Sequence, residues 1–526
     1  MLRFLTILVL TTQLTTLALS QARSTLEGRD LIVHTLSRLT FGADAALVDE
    51  VQKQGLDRWL KEQLQHTEAD PKLARQLEVW PFLNMSSQEI YAWVGEQRDR
   101  RRLVESGLPA SILLRGARNR WQVSEVMADF WRNHFNVDRA KGSVMYTAVE
   151  YDREVLRKNV FGKFEDMLKA SARHPAMLVY LDNYISRRPP TKTELKTVAR
   201  RVRRKTGSKA RGEEAAGIAA QRGLNENYAR ELMELHTLGV DNGYSQKDVI
   251  EVARALTGWT VDTKDNKYAF LYRDDMHDRG DKFVLGKTIR REKRRNGMVE
   301  GEKIIHVLAQ HRNTSVFLAR KLCTYLVADD PPARLVGTTA RVLRERKFDL
   351  SAALLHIVKS KEFRDRQYYR AKFKTPFEFV LSALRVSGAV IDDPRELVRR
   401  VAEMGQPIYR CEDPTGYRDT AESWRDPGVM AARWKFALDL ALGRIEGVRV
   451  PETFFAELDH RSVPALVASM GARLLPGGMR GETIRVLIKV ARRHRLAEKE
   501  GEEEDLPPLE RHLLGVVLGS PEFQEQ

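Results

Sequence analysis

Asn225-Glu226-Asn227-Tyr228-Ala229-Arg230-Glu231-Leu232-Met233-Glu234-Leu235-His236-Thr237-Leu238-Gly239 reads as a single helix. Asn225 stands where a side chain can cap the first free backbone N–H groups, and Gly239 where a chain can leave the helix. Asn227, Glu231 and Glu234 fall at helical spacing, with Arg230 four residues before Glu234, and Tyr228, Leu232, Leu235 and His236 form an adjoining stripe. Polar groups in that number belong at a surface or in a network of partners. A network of this kind lining a cleft would be a site.

Helical periodicity continues in both directions. Before the quoted stretch it predicts helices over 30–40, 43–54, 56–64, 89–104, 109–134, 143–159, 163–172 and 175–181. After it, Ser245 and Asp248 make a capping box that opens a helix over 246–257, and Gly258 ends it. The pattern breaks once. Residues 268–272 and 282–285 read as short strands around the turn-rich 274–281, a β-hairpin or extended excursion over 268–286. Helices then resume to the end. The expected fold is mainly α: a large multi-helix domain over 21–370 carrying a basic insertion at 186–223 and the β excursion, then a C-terminal helical lobe over 371–526.

Met1-Leu2-Arg3 followed by an apolar run to Leu19, with small residues at 18–20, is the composition of a secretory signal peptide over 1–20. An uncleaved anchor is the alternative, though the run is short for a bilayer and broken by polar residues. No other segment is apolar enough to span a membrane, so an exported protein, periplasmic or extracellular, is expected. Two cysteines, Cys323 and Cys411, could form one disulfide but cannot build a cysteine-based metal site. Of the net charge of +16, residues 187–211 supply +10, with eleven Lys or Arg against Glu194; 290–295 adds +4. An exported chain rarely meets nucleic acid, so the basic segment predicts an anionic polymer or membrane surface as partner, or else a solvated insertion.

Four clusters hold groups capable of chemistry. In Trp131-Arg132-Asn133-His134-Phe135-Asn136, His134 closes an aromatic stripe and could be a general base with Asn136 nearby, or a core histidine. In the opening stretch Glu231 and His236 are candidate catalytic groups and Arg230, Asn227 and Tyr228 candidate binding groups. The spacing there is not His-Glu-x-x-His, and a structural network is the competing reading. In the excursion, His277 and Asp278 are candidate ligands for a divalent metal, with Lys282 beside them; solvated turn residues would look the same. Leu181-Asp182-Asn183 ends a helix before the basic insertion. No Walker loop, dinucleotide fingerprint, Gly-x-Ser-x-Gly elbow or haem-attachment motif is present.

Several segments resemble the exported bacterial family known only as domain of unknown function 1800. They are His34-Thr35-Leu36-Ser37-Arg38-Leu39-Thr40-Phe41-Gly42, Phe130 to Asn136, Pro175 to Asn183, Asn225 to Gly239, Ala255-Leu256-Thr257-Gly258-Trp259-Thr260, His277-Asp278 with Lys282, Lys374-Thr375-Pro376-Phe377-Glu378-Phe379 and Gly405-Gln406-Pro407. The resemblance implies an exported helical protein, often encoded beside a second exported family, and adds Trp259 to the candidate binding residues. It carries no established catalytic residues. The basic insertion is longer and more basic than the family's usual linker. Two functions follow: an exported binding or assembly protein of the envelope with a secreted partner, or a metal-assisted hydrolase using His134, Glu231, His236 and His277. The second requires those side chains to converge.

Overall fold

The structure, a computed structural model, describes residues 25–220, 223–292, 296–500 and 506–526. The expected signal peptide and part of the 290–295 basic cluster lie outside the described residues. The fold is mainly α with small hairpins. One apolar core runs from Ile32 to Phe523. The helices Gln122–His134 and Pro376–Val386 lie deep in it and are buried on nearly all sides, as expected of helices without a solvent face. Among the described residues no helix is long and apolar enough to cross a membrane.

The expected break at Pro109 does not occur. One helix, Arg98–Arg118, passes straight through it. Proline removes a helical N–H and strands the carbonyl four residues back; that carbonyl, of Glu105, accepts instead from the Arg139 guanidinium. The true break falls at 119–121. There Gln122 donates to the carbonyls of Gly116 (3.0 Å) and Asn119 (2.7 Å) and accepts from the N–H of Phe41 at 3.0 Å. A second difference lies in the expected 143–159 helix, which is α-helical over Val144–Glu150 and then widens into a π-type turn over Tyr151–Arg157.

The quoted stretch is helical only over Glu226–Glu234. Asn225 caps it as expected, its side chain accepting from the Tyr228 N–H at 3.2 Å. The helix unwinds one turn before Gly239 because the N–H groups of both Leu235 and His236 turn back onto the Glu231 carbonyl, at 2.9 and 3.1 Å. The β excursion is also rearranged. The two expected strands pair with neighbours rather than with each other: β1 (Trp259–Asp262) with β2 (Ala269–Tyr272), and β3 (Lys282–Val284) with β4 (Lys287–Ile289), both antiparallel. The N–H of Phe283 and that of Leu285 bond to Glu251 (3.0 Å) and Asp248 (2.8 Å) of the helix Gln246–Leu256, so β3 belongs to the helical body. A third antiparallel pair joins β5 (Val390–Ile391) and β6 (Val448–Arg449).

The basic insertion forms two helices, Lys192–Thr206 and Lys209–Ala220, opened by a Thr191–Glu194 capping box. No residue of the first is buried. The helices approach so closely that a Cβ on Gly212 would lie 2.6 Å from the Ala199 carbonyl. At the hairpin's root Arg188 pairs with Glu194 at 2.7 Å and its N–H bonds the Met276 carbonyl at 2.8 Å. The two cysteines are unpaired: Cys323 is buried beside Thr339, and Cys411 is half-buried beside Asp413.

Gly258 takes φ +82°, and a Cβ there would collide with the Arg273 carbonyl. Gly258→Ala is expected to cost at least about 2 kcal/mol in urea unfolding, through left-handed strain and displacement of β2. An unchanged midpoint would show that the loop yields.

Candidate functional site

His134 and His236 do meet. They sit in an aromatic box with Trp131, Phe135 and Phe164, their rings 6.2 Å apart, and His134 Nε2–H donates to the His236 carbonyl at 3.2 Å. Burial first, then the charge of Lys321, pushes both imidazoles down, His236 to about 3. Both are therefore neutral and sealed, with His134 Nδ1 and His236 Nε2 lacking partners. Asn136 turns away from them and donates to the carbonyls of Cys411 (3.0 Å) and Asp413 (2.9 Å). Glu231 is half-buried on another face, its carboxyl pushed up by burial and then by Glu234 and Asp413, against the opposing pull of Arg230. Arg230 pairs with Glu234 at 3.3 Å and donates to Gln246 at 2.6 Å. Tyr228 is buried with its hydroxyl on the Ala172 carbonyl at 2.8 Å. Trp259 is buried beneath the Arg173 guanidinium, and Asn227 lines an open cleft with Arg187 and Arg273.

His277, Asp278 and Lys282 converge elsewhere, around a residue that the sequence reading missed. Glu300, near the start of the helix Met298–Ala309, receives the Lys282 ammonium on Oε2 and lies 3.2 Å from His277 Nε2. Lys282, Glu300 and His277 are at most 1% exposed. His277 Nδ1–H donates to the Thr257 carbonyl at 2.8 Å. Asp278 accepts from Arg254 at 2.9 Å and from the Gly280 N–H at 2.9 Å. Burial would raise the Glu300 carboxyl, but hydrogen bonds from His277, Lys282 and the Glu292 N–H hold it at about 2. His277 is thus bonded to Thr257 and Glu300, and Asp278 to Arg254. Among the described residues no three His, Cys, Asp or Glu side chains are arranged to hold a metal ion.

This arrangement braces β3 against two helices. Lys282→Met should cost about 3–5 kcal/mol, because it leaves the buried Glu300 carboxylate without its ammonium partner. Adding Glu300→Leu should recover much of that loss. A double variant whose loss equals the sum of the single losses, measured by urea melts, would refute the coupling.

A further polar feature is a buried chain of alternating charges. Arg157 bonds Glu125 at 2.8 Å and Asp152 at 2.6 Å; Arg132 bonds Asp152 at 3.1 Å and Asp129 at 3.0 Å. The Tyr409 hydroxyl donates to Asp152 at 3.0 Å. Burial alone would raise the Asp152 carboxyl, but Arg157 and Arg132 hold it well below the usual range. Asp129, at the far end, has only Arg132. Burial pushes it up to about 7, Arg132 opposes, and Glu378 and Asp419 add to the rise. Asp129 opens onto a small cleft of about 40 Å³, walled by Asn133, Tyr325, Phe377, Gln406, Tyr417 and Asp419. Three segments that carry the family resemblance, Phe130 to Asn136, Lys374 to Phe379 and Gly405 to Pro407, supply much of that wall. Asn133 clamps the outer loop, accepting from the Tyr417 N–H and donating to its carbonyl, both at 2.7 Å. The arrangement sets an acid that changes charge near neutrality beside aromatic and amide surfaces, which suits proton transfer.

Because the folded pKa of Asp129 is raised, its ionisation opposes folding: stability present below about pH 4 is lost as pH rises through about 7. Asp129→Asn should therefore gain stability relative to the wild type between pH 5 and pH 8 in urea titrations. A pH-independent difference would place the proton elsewhere.

A mainly helical protein braced by buried polar residues, with one acid-lined cleft, is the class these features define. The chain belongs to the family described as Protein of unknown function (DUF1800), whose profile matches residues 34–525. No curated protein and no solved structure matches it.

Proposed function

We propose that the chain is an exported binding and assembly protein of the bacterial envelope, working with a secreted partner and engaging a polyanionic polymer or membrane surface through 187–211. The observation that carries this reading is the helical hairpin. Lys192, Lys196, Arg200, Arg201, Arg203, Arg204, Lys205, Lys209 and Arg211 are all exposed, while the segment's acid, Glu194, is committed to Arg188. Lys192, Lys196, Arg200 and Arg204 recur every fourth residue and so share one stripe of the first helix. Such a stripe attracts closely spaced phosphates or carboxylates over roughly a Debye length. Export is inferred from the composition of 1–20. The braced interior supports binding because the histidines named for a hydrolase are sealed or already bonded.

The test is binding of the full chain to vesicles containing anionic lipid and to soluble polyphosphate, across a salt series. Arg200, Arg201, Arg203 and Arg204 changed together to Glu should weaken binding at least about tenfold and flatten its salt dependence. Equal binding by this variant, at an unchanged melting temperature, would overturn the proposal.

A further inference from the structure

Three arginines from separate parts of the chain line one open cavity of about 510 Å³. Arg101 belongs to the helix Arg98–Arg118, Arg139 to the turn that follows the helix Gln122–His134, and Arg410 to the loop after Pro407. The backbone holds the last two side by side, because the Arg139 N–H donates to the Tyr409 carbonyl at 3.0 Å. Asp138 fixes the turn by accepting from the Ala140 N–H at 2.9 Å. No residue of the basic hairpin or of the acid-lined cleft lines this cavity.

The protein only partly answers these charges. Glu105, which also lines the cavity, accepts from Arg101 Nε at 3.0 Å, and Asp138 Oδ1 lies 3.5 Å from Arg410 Nε. Arg139 is half-buried, and its guanidinium donates to the Glu105 backbone carbonyl. Among the described residues no carboxylate comes within ion-pair distance of it. Burial first, then the charge of Arg410, pushes Arg139 down to about 10, against the pull of Glu105 and Asp138. Two neighbouring guanidiniums therefore repel each other at the wall of a space large enough for a small molecule.

We propose that this cavity binds the phosphate group of a small organic phosphomonoester. Each protein contact described engages one nitrogen of a guanidinium that carries several N–H donors. The unused donors suit an anion with several oxygens, and the planar fork matches phosphate in paired hydrogen bonds. A doubly charged phosphate between the arginines would replace their repulsion with attraction. A carboxylate offers one charge and two oxygens and would satisfy fewer of them. Tyr146 and Met145 form an aromatic and apolar part of the same wall, fit for the organic part of the ester. The Tyr146 ring is held edge-on against Tyr91, with centres 5.1 Å apart.

The test is calorimetric titration of the full chain with phenyl phosphate at low salt, where charge attraction is least screened. Saturable binding at one site per chain is expected. Arg101→Ala and Arg410→Ala should each weaken it at least about tenfold at an unchanged melting temperature. Both positions are exposed; where one variant fails to fold, the other, on a different element, decides. The chain with Arg200, Arg201, Arg203 and Arg204 changed to Glu should bind phenyl phosphate as the unaltered chain does. Benzoate should bind at least about tenfold more weakly. No binding up to about 10 mM phenyl phosphate, or unchanged affinity in the cavity variants, would overturn the proposal. Loss of binding in the hairpin variant alone would also overturn it, assigning the phosphate to the hairpin and leaving the polyanion reading in place. Benzoate binding as tightly as phenyl phosphate would overturn the choice of phosphate.

Discussion

The charge chain from Glu125 through Arg157, Asp152 and Arg132 to Asp129 is the constraint on which the centre of the molecule depends. An ion taken out of water without a partner costs several kcal/mol. These five can be buried only together and in this alternating order. The requirement explains the π-type turn over Tyr151–Arg157. Asp152 and Arg157 are five residues apart, and in an α-helix they would point about 140° from each other. Widening the turn brings both inward, so that Arg157 Nε reaches Asp152 at 2.6 Å. Tyr409 then ties the outer loop to the same carboxylate.

The second interior group, Lys282 with Glu300 and His277, obeys the same rule with fewer members. Around both groups, amides hold irregular backbone in place. Asn183 donates to the carbonyls of Leu256 and Trp259, Asn225 to that of Leu181, and Asn136 to those of Cys411 and Asp413. Buried carbonyls outside regular helices need such donors. Many polar residues that stand out in the sequence are therefore braces.

Local features were legible in the sequence. The capping box at Ser245, the Asn225 cap and Pro175 at a helix start depend on residues within a turn of one another, and each is present. What failed depends on distant partners. Pro109 is tolerated because Arg139 supplies the missing donor, and the strands of the excursion were mispaired because β1 and β4 completed the ladders. Asp129 and Glu300 went unremarked because each looks like an ordinary polar residue of a helix. Only the packing of elements far apart in the chain puts them in low dielectric. His134 and His236 meet, but nothing local in the sequence showed that aromatic rings would enclose them.

One contact sets an order of events for making the protein. The Arg38 guanidinium, buried and pushed down to about 9 by that burial, donates to the carbonyls of Val327 (3.2 Å) and Tyr368 (2.8 Å), the latter 330 residues later in the chain. The helix Gly28–Leu39 therefore gains its full set of partners only after most of the polypeptide has emerged. Closure of so long a loop is slow and leaves sticky surface open to wrong partners. A chain built this way can complete its interior only when its last third arrives.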